Sequence, residues 1–433
     1  MQILEGFAAS QAAIQQANAR RAFSASPQLE ANVRDICESI KEHGDEALLG
    51  FSQKFDCPDL KFEDLRVDEA EIEAAWHSLS ADAQKALERA AKNIEAFHEA
   101  QKPRDFFFQS EAGAFLGNRF TPIERVGLYA PNGRAAYPST VLMLAIPAKV
   151  AGVKSVVLAT PASKDGKAHP VILAAAYLAG IREIYLMGGA AAMAAFAYGT
   201  ATVPKVDKVV GPGSIYMTLA KKYLFGTVGI DGLYGPSEVA VVADATPDPA
   251  RLAPQLAADL LAQAEHGGDS FVVFISPSQA LCSAVLKELA AQANASPRAK
   301  LALETLKSSL VCQVESMEKA CELCDGIAAE HVEIWSRDAL SWSAKIPNAG
   351  AIFLNCPVPL GDYIIGPSHT LPTNATARFA SGVGVDTFLK RTSLISAPKA
   401  TIAALAQDLE TIALLEELPG HAAAVKRAAS SLF

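Results

Sequence analysis

The 433-residue chain predicts an α/β fold with mostly parallel sheets, on three observations. Short apolar β-runs alternate with Ala-rich helical stretches between Val126 and Gly235. The same alternation resumes after Gly235, and half of all residues are hydrophobic while 20% are charged. Such alternation requires crossover connections, which place helices on both faces of a parallel sheet. The length allows about two to three domains and large cores.

Residues 1–22 are Ala/Gln-rich and too few to hold a core, so they read as an arm or small helix. A helical pattern runs from Gln28 to Phe55, and a second from Asp68 to Gln101 carries Ile72, Ala75, Trp76, Leu79, Leu87 and Ala91 at apolar positions. Lys102-Pro103-Arg104 ends it. The β-runs 126–129, 155–159, 183–187 and 207–210 then alternate with helices over 139–151, 169–179, 190–198 and 214–223. Strand 238–243, helix 249–265, strand 271–276 and helix 277–294 repeat the scheme, so two α/β domains of similar build are expected. From about Thr373 the chain reads as helical, with a last helix after His421.

A net charge of −9 and the lack of a basic cluster with interleaved aromatics argue against nucleic acid or an anionic membrane as partner. No apolar run reaches the length of a membrane span, and Met1-Gln-Ile-Leu-Glu-Gly has no basic stretch leading into an apolar one. A cytoplasmic protein is therefore expected. The seven cysteines are scattered, as reduced thiols are, and Cys321-x-x-Cys324 lies at helical spacing and reads as packing.

The chemistry concentrates at Asp259-Leu-Leu-Ala-Gln263-Ala-Glu-His266-Gly-Gly-Asp-Ser270. This stretch closes a helix that starts at Asp248, with Pro249 at its first position and Gly267-Gly268 as its stop. Gln263 and His266 are three apart, share the last-turn face and can converge on one point, a metal-ligand spacing. Alone, a helix-terminal His beside glycines is more often a polar cap. Polar contexts elsewhere hold Glu330-His331, Gly366-Pro367-Ser368-His369, Pro419-Gly420-His421 and Asp362. Gly-x-Gly-x-x-Gly follows no strand, so the usual dinucleotide fingerprint is missing. Gly188-Gly189 and Gly211-Pro212-Gly213 sit instead at strand ends before helices, where N-termini can hold phosphate or merely make tight turns.

As a set, Gln-Ala-Glu-His-Gly (263–267), Gly-Pro-Ser-Glu-Val (235–239), Glu-His (330–331), Gly-Asp-Tyr before His-x-Leu-Pro-Thr (361–373) and Glu-x-x-x-x-His (416–421) resemble the histidinol dehydrogenase family, in register from about residue 20 onward. The resemblance implies two incomplete Rossmann-like domains with parallel-sheet cores. The first, discontinuous, would be 23–125 with 235–372 and would carry the metal and catalytic residues; the second, on the cofactor side, would be 126–234. A 1–22 arm and a helical 373–433 segment would interlock in a homodimer. By the same resemblance one Zn²⁺ per subunit is held by Gln263, His266, Asp362 and His421. His331 is the base for the alcohol, and Glu330 activates water for a second oxidation. Ser237, His369 and Glu416 contact the substrate together with His331 and the four metal ligands, and Tyr129 contacts NAD. The family's cofactor-contacting Gln and Asn are Ala191 and Ser214 here, and its Pro-Gly-Gly is Pro131-Asn132-Gly133. The implied reaction takes L-histidinol through L-histidinal to L-histidine. Alternatives are a related dehydrogenase for a polar alcohol such as a sulfopropanediol, for which Arg134 is a candidate cation, or a zinc-binding relative without catalysis.

Overall fold

The computed structural model describes residues 2–21, 25–132, 136–246 and 248–430. The chain opens with β1 (Ile3–Glu5) and α1 (Phe7–Arg21), then α2 (Pro27–Phe55), α3 (Glu69–His77) and α4 (Ala81–Gln101). Ser26, Asp68 and Ser80 cap the last three, each accepting a first-turn N–H that the helix itself cannot satisfy. The single helix expected over 68–101 is therefore two, because Ser80 begins a new helix one turn after α3 stops. Gly44, at φ 55°, interrupts α2 with a conformation that suits glycine.

After the hairpin β2 (Phe106–Gln109) and β3 (Phe115–Pro122) come β4 (Arg125–Tyr129), α5 (Pro138–Ala151), β5 (Ser155–Thr160), α6 (Pro170–Ala179), β6 (Glu183–Leu186), α7 (Gly189–Tyr198), β7 (Lys208–Val210), α8 (Ile215–Leu224) and β8 (Gly229–Ile230). These strands form a parallel sheet in the order β6-β5-β4-β7-β8. The chain continues with β9 (Glu238–Ala243), α9 (Pro249–Ala264), β10 (Phe271–Ser276), α10 (Gln279–Ala295), α11 (Ala299–Thr305), β11 (Leu310–Gln313), α12 (Met317–Ile327), β12 (His331–Trp335), α13 (Ala339–Ser343), β13 (Ala351–Leu354) and α14 (Pro359–Tyr363). A second parallel sheet results, in the order β1-β11-β10-β9-β12-β13. β9 and β10 are buried along their whole length, as expected for strands covered on both faces. The chain ends with β14 (Leu389–Ser396), α15 (Lys399–Leu415) and α16 (Pro419–Ser430).

Three departures from the sequence reading have physical causes. Residues 1–22 were expected as an arm or small helix, yet β1 pairs with β11 and completes the six-stranded sheet, Ile3 opposite Val311. The 27–101 helices do not cover that sheet, against the expected grouping of 23–125 with 235–372. α2 packs on α7, α3 on α6 and α4 on α5. Val33, Ile36, Ile40 and Leu48 share one core with Met193 and Phe196, and Ile72 and Ile94 share another with Val141 and Ile172. Finally, the expected helical 373–433 segment contains β14, which pairs antiparallel with β3 over its full length. Among the described residues no helix is long and apolar enough to cross a membrane.

An ion pair pins the end of β7. Lys221 and Asp231, each 1% exposed, lie 2.6 Å apart. Asp231 also accepts the Gly211 N–H at 2.7 Å and the Tyr234 hydroxyl at 3.0 Å, while Lys221 donates to the Gly211 carbonyl at 2.5 Å. Breaking such a pair strands a buried charge. Lys221→Met is expected to cost about 3–5 kcal/mol of stability, read by denaturant unfolding, whereas Lys221→Met combined with Asp231→Asn should recover part of it. An unchanged midpoint in Lys221→Met would refute the role of the pair.

Candidate active site

Glu238 begins β9, and His331 begins β12 beside it, opposite Val239 in register. That placement lets one residue's backbone hold two side chains. The Glu238 N–H donates to Glu330 Oε2 at 2.9 Å, and His331 Nδ1 lies 3.2 Å from the Glu238 carbonyl oxygen. A carbonyl only accepts, so Nδ1 carries the proton. Because Glu330 precedes the strand rather than lying within it, the two neighbouring side chains come together, Glu330 Oε2 3.6 Å from His331 Nδ1. Gly350 allows this approach, since a Cβ there would sit 2.5 Å from the Glu330 carbonyl oxygen.

His331 Nε2 lies 3.2 Å from Asp362 Oδ1, on α14. Burial alone would lower the His331 pKa, but the Glu330 and Asp362 carboxylates outweigh it and push the imidazole up to about 9. Burial pushes Glu330 up to about 7, against the pull of His331 and the Glu238 N–H. Asp362 is raised by burial but held below the ordinary carboxylate range by the facing His331, His369 and His266. His266 and His369 are lowered, chiefly by burial. Asp362 is thus the common charge among three imidazoles.

Asp248 caps α9 and Pro249 occupies its first turn. The helix stops at Ala264 with Glu265 as C-cap, so Gln263 lies in the last turn while His266 follows the end, its N–H donating to the Gln263 carbonyl at 3.2 Å. Gln263 is 3% exposed and its amide Nε2 has no hydrogen-bond partner. A buried orphan amide costs free energy unless something engages it. His266 and Asp362 face one another electrostatically, and an amide oxygen, an imidazole and a carboxylate are donor types suited to a divalent cation. His369 donates from Nδ1 to the Asp362 carbonyl at 2.6 Å, leaving Nε2 to accept from the Thr140 hydroxyl at 3.0 Å.

One layer deeper, Asp259 and Glu333 face each other from α9 and β12. Gln255 donates to Asp259, and Trp335 and the Val358 N–H donate to Glu333. Burial raises both, so the pair retains a proton between its two carboxyls. It ties the helix carrying Gln263 to the strand carrying His331 and to the lead-in of α14.

Thr140 belongs to α5, next to the five-stranded sheet, so its bond to His369 marks where the two sheets meet. The strand order of that sheet reverses between β4 and β7, and ligands of open α/β sheets bind outside the carboxyl ends at such a point. Tyr129 ends β4, is 5% exposed, and its hydroxyl accepts the Gly189 N–H at 3.3 Å. Gly211 ends β7 at φ 129°, and a Cβ there would lie 2.4 Å from the Tyr129 carbonyl oxygen. The backbone can therefore close up at the crevice. Ala191 is buried in the first turn of α7 and offers no polar side chain. Ser214 is the exposed N-cap of α8, its hydroxyl not used by that helix.

Ser237 is half-buried, one residue before Glu238. Glu416 and His421 are not brought to this site in the single chain. Glu416 is the exposed C-cap of α15 and His421 is exposed on α16. Among the described residues no three His, Cys, Asp or Glu side chains are arranged to hold a metal. Arg134 and Gly133 lie outside the described residues. Sequence reasoning missed Glu238, Thr140, the Asp259–Glu333 pair and Lys221–Asp231. Only Glu238, inside Gly-Pro-Ser-Glu, had a signal that could have found it.

Residues 19–428 match the family model described as histidinol dehydrogenase. A histidinol dehydrogenase of Synechococcus sp. is 44% identical over 435 residues, covering 100% of this chain and 99% of the relative. That of Moorella thermoacetica is 46% identical over 402 residues, covering 92% and 93%. The crystal structure of histidinol dehydrogenase from Elizabethkingia anophelis superposes with a TM-score of 0.92 at 37% identity, covering 98% of this chain and 97% of that one. The double α/β frame and these matches make this protein an oxidoreductase. The chain belongs to the histidinol dehydrogenase family.

The Asp259–Glu333 pair carries a pH signature. Because the folded state raises the Glu333 pKa above its unfolded value, its contribution to stability is present at low pH and lost as pH rises beyond the carboxylate range. The melting temperature of Glu333→Gln should fall less than wild type between about pH 5 and about pH 8. Parallel pH curves would show that the pair does not share a proton.

Proposed function

We propose that this enzyme oxidises L-histidinol to L-histidine through L-histidinal, with two NAD⁺ reduced in sequence, as the closing steps of histidine biosynthesis. The observation that carries the reading is the Glu330–His331 pair, two candidate bases held on one backbone residue beside Asp362. Two oxidations need two proton acceptors, and the pair supplies both.

In the first step His331 takes the hydroxyl proton while a hydride leaves the carbinol carbon. In the second, Glu330 takes a proton from water as the oxygen adds to the aldehyde carbon, and the hydrate loses its hydride. Overall, alcohol, water and two NAD⁺ give acid, two NADH and two protons. NAD⁺ supplies the hydride acceptor, and Tyr129, Ala191 and Ser214 line the crevice proposed for it. Lost amides at 191 and 214 remove up to two hydrogen bonds, about 0.5–1.5 kcal/mol each, which weakens cofactor affinity without removing the site.

Gln263, His266, Asp362 and His421 are the proposed ligands of one Zn²⁺, which when bound supplies Lewis acidity and a fixed point for the substrate's nitrogens. With Asp362 engaged by a cation, His331 would lose the partner that keeps Nε2 protonated, freeing it as a base. The exposed His421 and Glu416 fit a site completed by a second copy of the chain. Leu405, Leu409 and Ile412 form an exposed apolar stripe along α15, 46%, 42% and 58% accessible, at helical spacing for a partner. Ser237, His369 and Glu416 are the further substrate contacts. Seven free thiols agree with a cytoplasmic setting.

The decisive assay follows nicotinamide reduction with Zn²⁺, NAD⁺ and L-histidinol, in parallel with a sulfopropanediol and with chelator. Chelator-sensitive formation of two NADH per histidinol is expected; signal with the sulfonate alone would overturn the substrate. The histidinal step should lose rate as pH falls below about 7, where Glu330 takes up its proton, and Glu330→Gln should abolish that step at every pH. Mixing inactive His421→Ala with inactive His331→Asn should restore part of the activity through hybrid dimers. No recovery would argue against a shared site.

A further inference from the structure

The N-terminal helix reaches the catalytic pair. Arg21, the last residue of α1, places Nη1 3.0 Å from Glu238 Oε1, and its guanidinium lies over the Phe271 ring, 4.2 Å from the centroid. Nη2 donates to Asn18 Oδ1 at 2.6 Å, and the Asn18 amide donates to the Gly326 carbonyl at 2.9 Å, at the end of α12. The arginine is thus held by the Phe271 ring and by Asn18 before it meets Glu238. On the other side, Glu238 Oε1 accepts the Asn374 N–H at 2.8 Å. Glu238 is 1% exposed. Burial raises the Glu238 pKa and lowers that of Arg21, so each charge is disfavoured alone and each is offset by the other.

What makes this pair more than a structural tie is its position. The Glu238 N–H and carbonyl hold Glu330 and His331. The charge of Glu238 also opposes ionisation of Glu330, which His331, Asp362 and Tyr234 face as well. The geometry points to Arg21 as a positioning residue for the Glu330–His331 pair: by fixing and neutralising the Glu238 side chain, it holds the one backbone unit from which both bases hang. β1 is the reason an N-terminal residue can do this, since its pairing with β11 docks α1 on α12.

The test uses the full-length protein with Arg21→Met, Arg21→Lys and Arg21→Met combined with Glu238→Gln. Amide deuterium exchange in peptides spanning the start of β9 needs no substrate; kcat and KM for histidinol give the second measurement, which rests on the reading above. In Arg21→Met, exchange at the Glu238 amide should quicken, and kcat should fall ~10-fold or more with KM within ~2-fold, the signature of lost catalytic alignment. Neutralising both partners should restore most of kcat, because no buried charge is left alone. Arg21→Met with wild-type exchange and kcat would overturn the inference, as would a double variant no better than the single. If Arg21→Met does not fold, Arg21→Lys, which keeps charge but not the planar fork, should show a partial kcat loss at constant KM; a wild-type kcat there would also overturn it. If wild type turns over no histidinol, the substrate reading fails, and exchange alone decides on Arg21.

Discussion

The parallel register of β12 on β9 is the constraint on which the site depends. With His331 opposite Val239, the chain just before β12 runs alongside Glu238, whose backbone N–H and carbonyl meet the Glu330 carboxylate and the His331 ring. A slip of one residue would turn every β12 side chain to the other face. Burial on both sides forbids that slip, because β9 has no exposed residue. The apolar sandwich thus sets the aim of two polar bases.

The five-stranded parallel sheet supplies the other side. Its strand order reverses between β4 and β7, where the buried Lys221–Asp231 pair grips both backbone groups of Gly211 and the missing Cβ lets the backbone approach Tyr129. The Thr140–His369 bond joins this side to the Asp362 loop. In the proposed reaction, side chains for the chemistry thus come from one sheet and backbone for the cofactor from the other.

Electrostatics in the cleft is a balance between burial and a few charges. Burial alone would leave the carboxyls protonated and the imidazoles neutral. Asp362, surrounded by His266, His331 and His369, keeps its charge and imposes order on all three. The free chain resolves the conflict with a proton on His331, and a cation at Asp362 would resolve it otherwise. His421 and Glu416 stand apart on the α15–α16 hairpin, whose leucine stripe faces outward.

Alternation of β-runs and Ala-rich helices sufficed to place β4 to β7, β9 and β10 and the helices α5 to α10 nearly to the residue, because apolar runs bounded by Gly, Pro and capping residues are local signals, whereas β1, β8, β11, β12 and β13 were not placed. Gln263, His266, Asp362 and the Glu-His pair were legible as motifs for the same reason. Strand order was not. That β1 is the edge of the six-stranded sheet, that β14 returns to β3, and that α2, α3 and α4 cover the five-stranded sheet are long-range pairings with no trace in local periodicity. Likewise, nothing in the spacing of Arg21, Glu238 and Glu330, or of Asp259 and Glu333, foretells their contact. Sequence by itself determined which elements form and which residues are chemically able; only tertiary structure decided which of them share a buried, low-dielectric space, where a partner's charge sets each proton.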